Sequence, residues 1–358
     1  MKIKPKLKSD YNKILIIEVN WLGDVLFSTP CIKAIRNKFE NAYIACMTVP
    51  RTKAMLEYNK RIDEIIIYDE KGKHKNLFGK IRLISELNRK KFDLAIILHR
   101  SFTRALITFL SGIGERVGYS TKGRGVLLTY PIEAPEENLH KVEYFLKIAE
   151  SIGCETQDKD YEFFITEKER KYIEKELAKN NIHKDDFLVV INPGGNWEPK
   201  RWSEERFAEL GDALIAGYGV KIVLSGAEND IEKTKRIKNR MKGELTILAG
   251  RTSLKELGAL LERANIVISN DSGPMHIAVA MKSNVIALFG PTSAALTGPY
   301  GRGNYRVIQK DVECEIPCYN LECGDYRCME AITVDDVLKV FSRLYSSVKE
   351  NIISEENR

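Results

Sequence analysis

The chain has 358 residues, of which 44% are hydrophobic and 30% charged, and its formal net charge is +6. This length and apolar content predict a folded protein of two domains and argue against a disordered one. The charge does not require a nucleic-acid partner, since a basic face toward anionic lipid or a phosphorylated ligand explains it, as does ordinary solubility. No run reaches the roughly 18 consecutive apolar residues of a membrane span, and the first residues contain no apolar signal core. We therefore predict a cytoplasmic protein, with peripheral contact at a membrane surface left open.

In the first half of the chain, short apolar runs rich in β-branched residues alternate with helical patterns. This alternation is typical of βαβ units and parallel sheets. The predicted strands lie at 13–19, 42–48, 63–69, 92–98 and 116–119.

The second half repeats this scheme after a highly charged, helical connector at 166–186. Helix starts are marked by Ser203, a predicted N-cap, and by Ser253 with Glu256, which have the spacing of a capping box. The predicted strands of this half lie at 187–192, 220–226, 244–250, 265–271 and 284–290.

These patterns predict an α/β protein with two Rossmann-like, doubly wound domains that face each other across a cleft. The first domain is predicted to cover residues 1–165 and the second residues 166–358, with packing of the last helix back on the first domain as an open alternative. Ligands of such sheets bind beyond the carboxyl ends of the strands, so the residues that follow each strand are the candidates for function.

The first such corner contains Gly23 and Asp24. A carboxylate repels phosphate, but it is well suited to take a proton from an incoming hydroxyl group. Asp24 is therefore a candidate general base. A helix cap is the alternative, and the corner alone does not decide between the two.

The corner after the first strand of the second half combines the glycine turn Gly194-Gly195 with Lys200 and Arg201, just before a predicted helix. Exposed amides, two cations and a helix N-terminus together favour a site for a polyanion. A plain loop with surface basic residues is the alternative.

A second polar turn, Asp271-Ser272-Gly273, follows another strand of this half, and Pro274 suits the first helical turn after it. The amides of this turn would point at a bound anion, and His276 could donate to a phosphate oxygen. The alternative is a structural turn in which Ser272 caps the helix and His276 is a satisfied buried histidine.

Glu228 follows one further strand. A carboxylate at such a corner binds ribose hydroxyls in dinucleotide-binding domains, but it also caps helices, and we weigh the two roles equally here.

Four of the seven cysteines cluster near the end of the chain with the spacing C-x3-C-x4-C-x4-C. This spacing lacks the paired C-x2-C knuckles of typical zinc sites, so we weigh a metal site below free thiols or local disulfides. Disulfides are disfavoured in a reducing cytosol. The four residues are Cys314, Cys318, Cys323 and Cys328.

The corners contain no GxGxxG, Walker lysine, GxSxG or HExxH motif. Hydride transfer, P-loop phosphoryl transfer and serine or zinc hydrolysis are therefore disfavoured. No Asp-x-Asp pair stands at a strand end to hold a divalent metal on a diphosphate, so we predict no cofactor and no catalytic metal.

Taken together, these corners resemble the ADP-heptose–lipopolysaccharide heptosyltransferases, glycosyltransferase family 9, which have the two-Rossmann GT-B fold. The segments "ILIIEVNWLGDVLFSTP", "INPGGNWEPKRWSEERF", "VLSGAEND", "NDSGPMHIA", "FGPTS" and "CMEAITVDDV" carry the resemblance, which spans roughly residues 13 to 340. The "NW" before Leu22-Gly23-Asp24 is more similar to the second heptosyltransferase of the pathway than to the first.

The resemblance implies an inverting, metal-independent transfer of a heptose from ADP-heptose to the inner core of lipopolysaccharide, with peripheral contact at the cytoplasmic face of the inner membrane open. It implies that Asp24 is the general base and that Lys200 holds the diphosphate. Glu228 would lie near the ribose. The nucleotide pocket would be lined by Asp271, Ser272, Gly273, Pro274 and His276.

This chain departs from the family at the glycine turn, where relatives often carry a hydroxyl residue. Phosphate contacts there would come from the amides of Gly194 and Gly195 or from the Asn196 side chain. Acceptor recognition would fall to the first half, where basic residues follow the strands. We place His99 and Arg100 first in this group, which also contains Arg51, Lys53, Arg104, Lys122 and Arg124; for about half of the cations, a solvated surface role is the alternative.

Three other functions stay open from sequence: transfer from another nucleotide sugar, epimerisation of a nucleotide sugar, and a non-enzymatic scaffold at the membrane that responds to nucleotide sugars.

Overall fold

A computed structural model describes residue 8 and residues 10–136, 138–320 and 322–356 of the chain. The chain divides into two compact units, Met1–Phe164 and Ile165–Arg358. Each unit is built around one six-stranded sheet whose strand pairs are all parallel.

The sheet of the first unit has the strand order β3-β2-β1-β4-β5-β6. Its strands are β1 (Lys13–Ile17), β2 (Tyr43–Thr48), β3 (Glu64–Ile67), β4 (Leu94–Ile97), β5 (Glu115–Tyr119) and β6 (Tyr130–Ile132). The helices are α1 (Leu22–Lys38), α2 (Lys53–Leu56), α3 (Leu77–Lys90), α4 (Phe102–Leu110) and α5 (Lys141–Ser151).

The sheet of the second unit has the order β12-β11-β10-β7-β8-β9, which is the same arrangement counted from its own first strand. Its strands are β7 (Leu188–Asn192), β8 (Lys221–Leu224), β9 (Thr246–Ile247), β10 (Ile266–Asn270), β11 (Val285–Phe289) and β12 (Tyr305–Gln309). The helices are α6 (Glu167–Lys179), α7 (Glu204–Tyr218), α8 (Ile231–Arg240), α9 (Leu254–Arg263), α10 (Gly273–Ala280), α11 (Ala294–Thr297), α12 (Arg327–Glu330) and α13 (Val334–Glu356).

The predicted fold class is therefore confirmed: both units are α/β, with doubly wound parallel sheets in the Rossmann strand order. The central strands β1, β4, β7, β10 and β11 are almost wholly buried, because helices cover both faces of each sheet.

Helix α1 runs without interruption through Pro30. Proline lacks the N–H that would donate to the Leu26 carbonyl, and the Thr29 hydroxyl donates to that carbonyl instead, at 2.7 Å. This replacement keeps the helix continuous from the corner at Asp24 onward.

Helix α13 packs in the second unit, where Val337, Phe341 and Leu344 are buried in its core. Phe341 stacks against Tyr345 and meets the ring of Tyr218 on α7 edge-on. Within the described residues, no helix combines the length and the apolar character that crossing a bilayer requires.

Candidate functional site

The strand order of each sheet reverses direction at one point, and ligands of doubly wound sheets bind there, beyond the carboxyl ends of the two strands. In the first unit this point lies between β1 and β4, and in the second unit between β7 and β10. The corners that follow these four strands contain most of the candidate residues predicted from sequence.

Asp24 lies in the first turn of α1, two residues inside the helix, and it is half-buried. The N-cap position is occupied by Trp21, whose side chain makes no capping hydrogen bond. Asp24 is thus not at the N-cap position that the alternative interpretation assigned to it. At its observed position, the positive end of the helix dipole stabilises a carboxylate.

The corner around Asp24 is held by Arg104, which is buried at the start of α4. Its guanidinium donates to the Glu18 carbonyl at 2.7 Å and to Asn20 Oδ1 at 2.6 Å. It also lies 3.5 Å from the Glu70 carboxylate and over the ring of Tyr68. The sequence predicts Arg104 as a cation that binds the acceptor. In the structure it is buried, and its hydrogen bonds hold the loop between β1 and α1 in place.

Glu18, for which no sequence motif predicts a role, is a fully buried carboxyl group directly after β1. Burial raises the pKa of this carboxyl to about 7, although the Ser28 hydroxyl, the Val19 amide and Arg104 oppose the shift. Ser28 Oγ lies 3.0 Å from Glu18 Oε2, and the nearby charge of Asp24 raises the pKa further. Glu18, which titrates near neutral pH, is therefore close enough to Asp24 for the charges of the two carboxyl groups to interact.

Four of the predicted acceptor-binding cations are exposed, as those predictions require: Arg51, Lys53, Arg100 and Lys122. Lys53 is paired with Glu57 at 2.9 Å. Arg51 is also ordered, because its Nε donates to the Asn20 carbonyl at 2.7 Å and its guanidinium stacks 4.2 Å from the centre of the Trp21 ring. This stacking places a cation beside the first turn of α1.

His99 lies directly beyond β4 and is a neutral hydrogen-bond donor. Burial lowers the pKa of its imidazole to about 3, and the nearby charges of Arg104, Arg124 and Lys122 add to the effect. The Ser101 amide donates to His99 Nδ1 at 3.0 Å, so the ring hydrogen lies on Nε2. His99 can therefore donate to an acceptor oxygen without a charge of its own.

Arg124, which the sequence predicts as one of the acceptor-binding cations with a solvated surface role as the alternative, is fully buried beside His99. It donates to the carbonyls of Tyr119 and His99. Within the described part of the chain, its Nη2 and the Tyr144 hydroxyl are buried without hydrogen-bond partners. Burial lowers the pKa of Arg124 to about 10, which still leaves it charged at neutral pH. Two unused donors thus lie under the corner beyond β4 and β5.

In the second unit, the Gly194-Gly195 turn is fixed by side chains from neighbouring corners. Asn270, at the end of β10, donates to the carbonyls of Pro193 and Gly194, and Arg201 donates to the Gly195 carbonyl at 2.8 Å. A Cβ at Gly194 would lie 2.7 Å from an Asp230 carboxylate oxygen, so a side chain at this position would have to displace that carboxylate. The predicted cation Arg201 therefore shapes the turn.

Lys200 and Asp271, predicted separately from two corners, form one ion pair. Lys200 Nζ lies 2.6 Å from Asp271 Oδ2, and the Thr292 hydroxyl donates to the same oxygen at 2.6 Å. Both ionic side chains are largely buried, and the ammonium also lies 4.7 Å from the centre of the Trp197 ring. The structure thus holds the predicted diphosphate-binding lysine in place by a carboxylate.

Helix α10 begins at Gly273, with Pro274 in its first turn and Ser272 at the N-cap. The Ser272 side chain makes no capping hydrogen bond; its hydroxyl lies 3.2 Å from that of Ser269. The structural alternative required Ser272 to cap the first-turn amides. The structure shows no such cap. His276 is buried in this turn.

Glu228 is exposed in the one-turn 3-10 helix Glu228–Asp230. The carboxylate that accepts the Ala227 amide, at 3.0 Å, belongs to Asp230. The capping role weighed for Glu228 thus falls to its neighbour, and the exposed Glu228 carboxylate lies at the rim of the β8 corner.

The four clustered cysteines are free thiols that line one small cavity, together with Pro199 and Pro291. Pro199 precedes Lys200 in the chain, and the Cys318 amide donates to the Pro291 carbonyl at 2.7 Å. Among the described residues, no group of three or more His, Cys, Asp or Glu side chains is placed to hold a metal ion. The cysteine segment thus lies next to the loop that carries Lys200.

Comparison with known proteins gives consistent matches over most of the chain. The model of glycosyltransferase family 9 (heptosyltransferase) matches residues 80–323, more than half of the sequence. Lipopolysaccharide heptosyltransferase 2 of Escherichia coli K12 is 27% identical over 300 residues, which are 80% of this chain and 85% of that protein.

Solved structures show the same similarity. A family 9 glycosyltransferase from Veillonella parvula DSM 2008 has a TM-score of 0.86 at 26% identity, covering 94% of this chain and 98% of its own. The E. coli ADP-heptose lipopolysaccharide heptosyltransferase II has a TM-score of 0.79 at 26% identity, covering 94% and 99%.

The buried Glu18 carboxyl predicts a specific pH dependence of stability. Its pKa is about 7 in the folded protein and 4.5 ordinarily, so between these values the folded state binds more protons than the unfolded state. The free energy of unfolding contributed by this group therefore falls as the pH rises from 4.5 to 7. This loss is absent in Glu18→Gln. The free energy of unfolding of the variant, measured relative to that of the wild type, should therefore be about 3 kcal/mol higher at pH 8 than at pH 4.

Urea denaturation of both proteins at the two pH values measures this difference. Glu40→Gln, at an exposed position near the end of α1, is the matched control and should show no such gain. An equal stability difference at both pH values would contradict the assignment.

Proposed function

The chain belongs to glycosyltransferase family 9, the heptosyltransferases, and from this premise we propose that it transfers a heptose from ADP-heptose to the inner core of lipopolysaccharide. The observation that carries the proposal is the pairing of Lys200 with Asp271 beside the Gly194-Gly195 turn and the start of α10. The names of the relatives, which include an ADP-heptose lipopolysaccharide heptosyltransferase, support the choice of donor and acceptor.

The second unit supplies the groups that a nucleotide diphosphate needs. Lys200 provides a positive charge, and the amides of Gly195 and of the first turn of α10 provide oriented donors. Asn196, exposed at the tip of the turn, adds a side-chain amide. Glu228 would accept hydrogen bonds from the ribose, and Ser272 and His276 would line the pocket.

Asp24 is proposed to act as the general base for the acceptor hydroxyl. Removal of the hydroxyl proton makes the oxygen nucleophilic as the bond from the heptose to ADP lengthens, and the proton passes to the Asp24 carboxylate. A single displacement of this kind inverts the configuration at the sugar carbon. Lys200 and the helix amides neutralise the departing ADP, so the step requires no metal ion.

The acceptor is proposed to bind at the corners of the first unit. Inner-core lipopolysaccharide contains phosphate and carboxylate groups, and Arg51, Arg100 and Lys122 present exposed cations to them. His99 adds a neutral donor. The buried Nη2 of Arg124 and the Tyr144 hydroxyl provide two further donors if an anionic group enters this corner.

The place of action proposed is the cytoplasmic side of the inner membrane, with peripheral contact, because the acceptor is anchored in lipid. The alternative of nucleotide-sugar epimerisation is not favoured by membership of a glycosyltransferase family. Whether the donor is ADP-heptose or another nucleotide sugar is decided by comparing the binding and transfer of several donors.

A panel of ADP-, UDP-, GDP- and CMP-sugars tests the donor. We expect thermal stabilisation by ADP-heptose above the other sugars, followed by heptose transfer to a truncated core acceptor. ADP-heptose supplied without acceptor controls for epimerisation. Equal stabilisation by a sugar with another base, together with transfer of that sugar, would contradict the proposal.

Asp24→Asn should preserve the fold and the affinity for ADP while lowering kcat/KM by roughly 10²–10⁴-fold, because only the general base is removed. Steady-state kinetics with ADP-heptose and a truncated acceptor measure the effect, and calorimetry measures ADP binding. Glu40→Gln is again the matched control. Near-normal turnover by Asp24→Asn would exclude Asp24 as the base.

Lys200→Met should weaken ADP binding by roughly tenfold to a hundredfold, because it removes a charge-assisted contact to phosphate and leaves the Asp271 carboxylate facing the ligand. Calorimetric titration with ADP measures this effect. Lys184→Met, at an exposed position in the same unit, is the control. Loss of stability without a change in ADP affinity would assign Lys200 a structural role alone.

A further inference from the structure

The first turn of α3 presents three large apolar side chains to solvent. Leu77, Phe78 and Ile81 are 69%, 83% and 51% exposed, and we call these three residues the Leu77 patch. Single exposed apolar residues are ordinary, but several on one helical turn mark a contact surface. The core does not need them, because α3 packs on the sheet through Leu83 and Leu87, which are fully buried.

The turn that presents the patch is rigidly built. Asn76 caps α3 by accepting the Gly79 amide at 2.8 Å, and the Asp69 carboxylate accepts the amides of Gly72 and Lys73 at 2.9 and 3.0 Å. A Cβ at Gly79 would collide with the Lys73 carbonyl, so the loop packs closely against the helix start. The Leu77 patch is therefore a defined surface.

The segment that carries the patch is rich in positive charge, although Asp69 and Glu70 precede it and Glu86 follows it. Residues 71–82 include five lysine or arginine residues and no aspartate or glutamate. Apolar side chains ringed by basic ones are typical of segments that lie in the interface of a membrane with anionic lipid. The five cations are Lys71, Lys73, Lys75, Lys80 and Arg82, of which all but the half-buried Lys80 are exposed.

The patch also lies on the same side of its unit as Asp24. The loop before α3 follows the carboxyl end of β3, and α1 follows the carboxyl end of β1 in the same parallel sheet. Glu70 joins the two corners, because it accepts from Asn20 Nδ2 at 3.2 Å and lies 3.5 Å from Arg104. A surface bound through the patch would thus adjoin the edge that carries the proposed base.

We propose that the Leu77 patch docks this protein on an anionic lipid bilayer, with its three side chains among the acyl chains and the surrounding cations at the headgroups. Charge complementarity favours this occupant over a second copy of the chain, which would bring the same five cations to the contact. The inference deepens the proposed function and rests on it for its purpose, which is to bring a lipid-anchored acceptor to the edge that carries Asp24.

Co-sedimentation with vesicles tests the docking without donor or acceptor. The full-length protein should bind vesicles of phosphatidylethanolamine and phosphatidylglycerol and bind phosphatidylcholine vesicles weakly. The triple variant Leu77→Ser/Phe78→Ser/Ile81→Ser should lower the partition coefficient on anionic vesicles by roughly tenfold or more. Far-ultraviolet circular dichroism establishes that this variant is folded.

A second variant tests the charge ring. Lys71→Gln/Lys73→Gln/Lys75→Gln should lower binding to anionic vesicles by roughly tenfold or more and leave the weak binding to phosphatidylcholine unchanged. Lys168→Gln/Lys171→Gln/Lys175→Gln on α6 removes the same charge from exposed positions elsewhere and should bind like the wild type. Equal losses in the two lysine variants would overturn the proposal, since net charge alone would then explain binding.

Two other outcomes would overturn the proposal. In the first, the triple serine variant binds vesicles as well as the wild type does. In the second, ultracentrifugation shows that the wild type is a dimer and the triple serine variant a monomer, while both bind vesicles equally. Activity separates the docking from the proposed function. The serine variant should keep its turnover on a water-soluble truncated acceptor and lose it on acceptor embedded in vesicles. If the wild type transfers heptose to neither acceptor, the proposed function fails, while sedimentation still decides the docking.

Discussion

Parallel pairing of the strands is the constraint on which the candidate sites depend. In a parallel sheet the carboxyl ends of all strands lie at one edge, so the residues that follow neighbouring strands meet there although they are far apart in the chain. Asp24 and His99 meet this condition in the first unit through β1 and β4, and Lys200 and Asp271 meet it in the second through β7 and β10. The reversal of strand order then opens a space between the loops that leave in opposite directions. The chemistry of each unit is therefore set by a few loop residues on a scaffold that specifies no function by itself.

Buried charge is arranged differently at the two edges. In the first unit, Arg104 donates to a backbone carbonyl and to the side-chain oxygen of Asn20. Asn20 in turn donates to Glu70, and its carbonyl accepts from Arg51. The Arg104 guanidinium thereby fixes the conformation of the loop between β1 and α1. Below its pKa of about 7, Glu18 is protonated and therefore does not place a charge in the protein interior. In the second unit, the buried charges are a direct pair, Lys200 with Asp271. Removing either member of such a pair leaves an uncompensated ion, which costs more than the pair itself contributes.

The periodicity of the sequence predicts the two α/β units and their corners, because apolar runs on buried parallel strands are continuous and therefore visible. The edge strands β6 and β12 carry no such signal: β6 is three residues with a central proline, and β12 is partly exposed. Asp24, Lys200 and Asp271 are found from sequence because glycine or proline turns mark their corners. Glu18 and the buried roles of Arg104 and Arg124 are not, because burial depends on partners such as Ser28, Asn20 and Tyr119 that only the folded chain assembles. The Lys200–Asp271 pair joins residues 71 positions apart and has no local pattern.

The same pair has a consequence for the end of the catalytic cycle. If Lys200 holds the diphosphate of the donor, Asp271 and its Thr292 hydrogen bond stay behind as a fixed internal anion that competes with the nucleotide for one ammonium group. As ADP leaves, the ammonium group would regain a carboxylate partner, which lies 2.6 Å from it in the structure, so its charge would not be left buried and unpaired. Under that condition, competition from Asp271 would weaken the binding of the spent nucleotide and so favour its release.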